Sequence, residues 1–229
     1  MALKNLAILV FPGARAREYL AALAENNLLP EFAILLRAKT GGNAEEMALL
    51  EKNGISFVDA ASHDINAPET VACVTGAKQD FFIFCGGGIL RGEMLSTGKN
   101  FLHVHPGRLP DFRGSTCFYY SIIAENDVTA TAFFLASGID TGNIVCKKSF
   151  GLPDSADIDN FFDNNARAKA LVQAVKGFAE KGFFAETPQD GTAGETFFVI
   201  HPLLKHLAIM SVEKALAKKP AAKQMIKRI

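Results

Sequence analysis

Short, wholly apolar runs alternate with stretches of helical periodicity from the first residues as far as Cys85. Leu6–Val10 and Phe81–Cys85 carry no charge, as strands do when helices cover both faces of their sheet. Ala33–Leu36 and Ile55–Val58 supply two further strands. Between these runs, Ala16, Tyr19, Leu20 and Leu23 recur at helical spacing, and Ala44–Lys52 reads as a helix stopped by Asn53-Gly54. Asn66 offers a cap to a helix whose first turn holds Pro68 and Glu69. A βαβα order of this kind predicts an α/β fold: an open, mostly parallel twisted sheet with helices on both faces. Ligands of such sheets sit beyond the carboxyl ends of the strands.

The second half changes character. Phe101–Val104, Thr129–Leu135 and Asn143–Ser149 read as strands, with a helix over Cys117–Glu125. Ile158, Phe161, Phe162, Leu171, Val175 and Phe178 form the apolar stripe of a long helix, for which Asp154 and Ser155 offer caps. Another helix follows His201-Pro202. Residues 1–200 are expected to form one α/β domain, and 201–229 a helix and tail within it. At 229 residues the chain can bury a sizeable core without staples.

Charge narrows the partners. Lys plus Arg is 24 and Asp plus Glu is 24, which gives no global field to hold a polyanion and counts against nucleic acid. The one asymmetry follows Glu213, where Lys214, Lys218, Lys219, Lys223, Lys227 and Arg228 occur with no acid; it reads as a solvated end. No apolar run approaches the ~20 residues of a spanning helix, so no membrane is expected. Cys73, Cys85, Cys117 and Cys146 lack zinc spacing and read as reduced thiols of a cytoplasmic protein.

Three segments could carry chemistry. Cys85-Gly86-Gly87-Gly88-Ile89-Leu90-Arg91 follows a buried strand, but Arg91 occupies the last glycine of a dinucleotide fingerprint. Its glycines leave backbone open to a flat ligand, or simply make a turn. In Phe101-Leu102-His103-Val104-His105-Pro106, two imidazoles at i and i+2 project from one side of a strand end. Pro106 holds His105 in extended geometry. Ser137-Gly138-Ile139-Asp140-Thr141-Gly142 places an acid between two glycines, either as a turn residue or as a site carboxylate.

The series H-x-H-P-G-x-L-P-x-x-R-G, followed by G-I-D-T-G, resembles the folate-dependent formyltransferases, whose pattern is N-x-H-P-S-x-L-P-x-x-R-G and then L-D-x-G. That family includes methionyl-tRNA, glycinamide ribonucleotide and sugar-amine formyltransferases. The resemblance is strong over residues 80–150, compatible before them and loose after Gly151. It implies a Rossmann-like formyltransferase fold and 10-formyltetrahydrofolate as donor. It also implies a primary amine as acceptor, with His105 and Asp140 as the catalytic histidine and aspartate. Gly87, Gly88, Ile89 and Leu90 fall where the family holds the pterin, and Ser137, Gly138 and Ile139 in the second folate loop.

Those residue types suit the reaction. An imidazole can relay the proton of an attacking amine, and a carboxylate can orient it. A third group should donate a hydrogen bond to the oxyanion. Here the chain departs from the pattern, because His103 stands at the family's asparagine. Two neighbouring imidazolium ions repel, so each depresses the other's pKa. A metal held by both histidines and Asp140 lacks a further strong ligand in the sequence, so no metal is expected.

The acceptor is less specified. Phe11-Pro12-Gly13-Ala14-Arg15 lacks the G-S-N phosphate cradle of the glycinamide ribonucleotide branch. The stretch after Gly151 is too short for the added barrel that the methionyl-tRNA branch carries. A small amine, such as an amino sugar on a nucleotide, is therefore expected over methionyl-tRNA. Hydrolysis of 10-formyltetrahydrofolate and a silent folate- or nucleotide-binding homologue are the alternatives. The sequence says nothing of oligomeric state.

Overall fold

A computed structural model describes residues 2–40 and 42–218. The strands are β1 (Leu3–Val10), β2 (Pro30–Leu35), β3 (Ser56–Asp59), β4 (Phe81–Phe84), β5 (Asn100–His105), β6 (Phe112–Gly114), β7 (Val128–Phe134), β8 (Ile144–Gly151) and β9 (Glu195–Phe197). The helices are α1 (Ala14–Glu25), α2 (Ala44–Lys52), α3 (Pro68–Gly76), α4 (Gly92–Leu95), α5 (Cys117–Glu125), α6 (Asp163–Lys181) and α7 (Pro202–Lys218).

Seven strands make one sheet in the order β3-β2-β1-β4-β5-β7-β8. The first five in that order are parallel, while β7 pairs antiparallel with both β5 and β8. The order reverses between β1 and β4, which defines the crevice of an open α/β sheet. The expected α/β fold is present. β6 and β9 form a separate parallel pair that no apolar pattern announces.

Alternation along each strand divides the core. Leu6, Ile8, Leu102 and Val104 face α1, α5 and α6 through Leu20, Ile122, Leu171 and Val175. Ala7, Leu9, Phe82, Phe84 and Phe101 face the other way and meet Val74 of α3 and Met94 of α4. Helices therefore cover the second face only beside β1, β2 and β4. Over β5 and β7 that face is left to loops, and the sequence places its candidate residues there.

Three local expectations are corrected. Ala67, not Asn66, precedes the first turn of α3, and the Asn66 side chain is spent elsewhere. The long helix begins with a π-helical turn, Ile158–Phe162, capped by Asp157 accepting from the Asn160 N–H; Asp154 and Ser155 do not cap it. The wider turn leaves Phe161, assigned to the apolar stripe, 58% exposed. At the other end, Ala208 and Val212 of α7 are buried in the same core as α5 and α6. Lys214 and Lys218 lie on α7, whereas Lys219, Lys223, Lys227 and Arg228 fall outside the described residues. Among the described residues no helix is long and apolar enough to cross a membrane.

Phe101 is fully buried against Phe82, with ring centroids 5.9 Å apart. Phe101→Ala is expected to cost about 3–5 kcal/mol of stability by urea denaturation. A loss below about 1 kcal/mol would contradict this packing.

Candidate active site

Residues Phe101, His103 and His105 share one face of β5, as strand alternation requires, and only Phe101 at its start packs in the core of α3 and α4. His105 is 2% exposed. Its Nε2 lies 2.8 Å from the Phe112 carbonyl, and its Nδ1 lies 3.3 Å from Asp140 Oδ2. Both ring nitrogens thus face acceptors. The turn after Pro106 closes tightly on the ring, because a β-carbon at Gly107 would lie 2.6 Å from Nε2 and 2.7 Å from the Phe112 carbonyl oxygen. Thr131 of β7 secures the turn, donating to the Gly107 carbonyl at 2.7 Å and accepting from the Leu109 N–H at 3.2 Å.

Asp140 arrives by an indirect path. Because β7 is antiparallel to β5, the segment after Phe134 leaves the sheet beside Phe101, where the Leu135 N–H donates to the Phe101 carbonyl. Residues 135–143 must then fold back over the open sheet face to bring Asp140 to His105. Asp140 adopts φ 52°, a left-handed conformation that Asp tolerates better than most residues. Its Oδ2 accepts from the Gly114 N–H at 2.8 Å. Gly142 permits the return, since a β-carbon there would collide with the Phe134 carbonyl at 1.8 Å.

His103 is half-buried between the rings of Phe84 and Phe133, with Nδ1 3.4 Å from the Phe84 carbonyl. Beneath it lies a charged cluster absent from the sequence reading. Arg167 of α6 donates to the Val104 carbonyl at 2.7 Å and to Asp163 at 2.8 Å, and Arg15 of α1 approaches Asp163 at 3.5 Å. Two guanidinium groups share one carboxylate. The Tyr19 hydroxyl beside them is buried without a hydrogen-bond partner among the described residues.

The glycine loop is partly occupied. A β-carbon on Gly87 would meet the Phe11 ring at 2.4 Å, and one on Gly86 would meet Arg15 at 3.0 Å. These two glycines let the first strand's loop pack across the sheet crevice. Gly88 is more open, Ile89 is 81% exposed and Leu90 is buried. Asn66 fixes this stretch, donating to the Ile89 carbonyl at 2.9 Å and accepting from the Arg91 N–H at 2.8 Å. On the other loop, Ser137 and Gly138 are exposed and Ile139 is 61% exposed. Among the described residues no group of three or more His, Cys, Asp or Glu side chains could hold a metal.

The structure thus brings His105 and Asp140 together, sets His103 beside them, and leaves Ile89 and Ile139 open to solvent on their loops. Arg167 and Gln189 escaped the sequence reading, Arg15 entered it only as part of the first loop, and Asn66 only as a helix cap. Arg167 did carry a signal, as a charge among Ala166, Ala168 and Ala170 on a buried helix face.

Burial pushes the His103 pKa well below its ordinary 6.5, and the positive Arg167 and Arg15 push the same way. Burial also lowers that of His105, although Asp140 opposes it. Burial thus works against the charged form of both rings. On acidification the unfolded chain takes up protons first, so the stability present above about pH 6.5 is lost as pH falls through the lowered folded values. Unfolding free energy is expected to decline from about pH 7 to about pH 5, and less steeply in His103→Asn. Urea titrations across that range measure both slopes, and identical slopes would contradict a lowered folded pKa for His103.

No protein-family model matches the chain. Methionyl-tRNA formyltransferase of Desulforamulus reducens is 32% identical over 93 residues, 39% of this chain and 29% of that protein. That of Citrifermentans bemidjiense is 25% identical over 145 residues, 61% of this chain and 45% of that protein. The matches thus span less than half the length of these relatives. Three solved structures share the fold. Methionyl-tRNA formyltransferase from Clostridium thermocellum aligns with TM-score 0.57 and 14% identity over 86% of this chain and 73% of that one. A sugar N-formyltransferase from Shewanella sp FDAARGOS_354 gives 0.59 and 15% over 90% and 87%. Glycinamide ribonucleotide transformylase 1 from Symbiobacterium toebii gives 0.58 and 18% over 81% and 93%. In sequence across part of its length, and in fold across most of it, the chain resembles the formyltransferases.

Proposed function

We propose that the chain is an N-formyltransferase that moves the formyl group of 10-formyltetrahydrofolate to the primary amine of a small molecule, such as an amino-sugar nucleotide. The observation that carries this reading is the His105–Asp140 pair, at 3.3 Å, on the one sheet face left to loops. Ile89 and Ile139 offer exposed apolar side chains suited to a flat pterin, and Gly88 leaves room beside them. The neutral amine attacks the formyl carbon, giving a tetrahedral adduct with an oxyanion and an ammonium. The ammonium loses a proton, the donor nitrogen gains one, and the bond between the formyl carbon and that nitrogen breaks.

Within that sequence His105 and Asp140 divide the work by exposure. Asp140 is 15% exposed and His105 is sealed behind it, so the carboxylate meets the proton and the imidazole takes it on or returns it. With Nδ1–H donating to the Phe84 carbonyl, His103 presents a neutral Nε2 as a hydrogen-bond acceptor for the attacking amine, while burial and the two arginines keep the proton itself off the ring. The opposite tautomer would carry its N–H on Nε2, a donor of the kind the family pattern assigns to asparagine, and would give up the bond to the Phe84 carbonyl. A tRNA-borne amine is the second reading, favoured by the names of the sequence relatives.

Donor consumption with and without candidate amines tests the reading. His105→Ala and Asp140→Asn are each expected to lower transfer by about 100-fold or more while the circular dichroism spectrum stays native. Turnover that ignores the amine would establish hydrolysis instead. A wild type inert with every amine, beside an active His103→Asn variant, would overturn the enzyme reading and leave a silent folate-binding homologue.

A further inference from the structure

Residues 183–200, which the sequence reading left without a role, follow α6 and touch both segments that hold the Asp140 carboxylate, its own turn at 140–144 and β6. Thr187 exchanges two backbone hydrogen bonds with Ile144 at the start of β8, each 2.8 Å. Asn143 donates to Glu186 at 2.9 Å. Pro188 then keeps Thr187 extended and aims Gln189 back toward residues 140–142. The Gln189 carboxamide nitrogen donates to the Asp140 carbonyl at 2.9 Å and also to the Gly142 carbonyl. Further along, Arg113 donates to the carbonyls of Gly191 and Gly194, and β9 pairs with β6, whose Gly114 N–H holds the Asp140 carboxylate.

We infer that Gln189 is a positioning residue for Asp140: its two amide hydrogens clamp the carbonyls on either side of Thr141 and thereby fix where the carboxylate meets His105. The inference rests on the formyl-transfer reading for its consequence in rate, but the clamp itself is a matter of geometry. Asp140 needs such a clamp for two reasons. Its loop has crossed the sheet face to reach His105, so no strand pairing holds it at that point. It also sits at φ 52°, a conformation that lasts only where neighbours over-determine it. Backbone carbonyls persist whatever side chains the turn carries, and Gln189 grips two of them.

Gln189→Met removes the donors at similar length, and Gln189→Glu replaces them with acceptors facing two carbonyls. Glu186→Ala cuts the neighbouring Asn143 contact on the same segment and serves as the structural control. With the clamp, both Gln189 variants lose about 100-fold in kcat, as a misplacement near 1 Å would cause, while KM for the folate donor changes less than about threefold. Glu186→Ala lowers Tm without that loss in kcat. Hydrogen exchange at the amides of 137–142 accelerates in Gln189→Met whether or not turnover is detected. An unchanged kcat in both Gln189 variants, or equal losses in Glu186→Ala, overturns the positioning role. Unchanged exchange in Gln189→Met overturns the clamp. A wild type that neither binds a folate analogue nor consumes the donor defeats the formyl-transfer reading instead, and the exchange result still decides the clamp.

Discussion

The antiparallel pairing of β7 on β5 governs the rest of the site. Had β7 run parallel, its exit would lie beside His105, and a short turn could place an acid there. Because it runs the other way, Thr131 stands opposite His105 and Phe134 opposite Leu102. The acid-bearing segment must recross the sheet face. That route accounts for several features at once: the left-handed backbone of Asp140, the absent β-carbon of Gly142, the Gly114 N–H on the carboxylate and the strap from 183 to 200. It also accounts for the missing helix, since a helix over β5 and β7 would occupy the space the loops need.

Much of this was legible in the sequence. Phe81–Phe84 and Leu6–Val10 are apolar on both faces because helices cover both, and the spacing of Tyr19, Leu20 and Leu23 follows from the same burial. The proximity of His103, His105 and Asp140 was carried by a motif. Strand direction was not legible, because apolar alternation reads identically in either sense. The pairing of β6 with β9 was hidden by length, with three residues on each side and the stacked rings of Phe112 and Phe197 far apart in the sequence. Asn66 misled because an Asn before Pro68 is a good cap on propensity alone, whereas its amide was needed to brace the glycine loop. Gln189 gave no local signal, for its partners are two carbonyls almost fifty positions earlier.

Charge inside the fold is arranged against protonation. Arg167 ties α6 to β5 through the Val104 carbonyl, midway between the two histidines, and Arg15 approaches from α1. Only Asp163 offsets them both among the groups they touch, so positive charge surrounds His103 on the buried side. A neutral chain overall therefore contains a locally positive floor under its candidate site. The net balance of 24 and 24 could not reveal this, because the arrangement depends on which helix faces which strand.

The Gly107 turn has a consequence for His105. With no β-carbon at 107, the Phe112 carbonyl reaches Nε2 and claims whatever hydrogen that nitrogen carries. Any side chain there would have to displace the carbonyl or the ring. A residue with no functional group thus sets a second acceptor against the ring, opposite Asp140, and a neutral imidazole has a hydrogen for only one of the two.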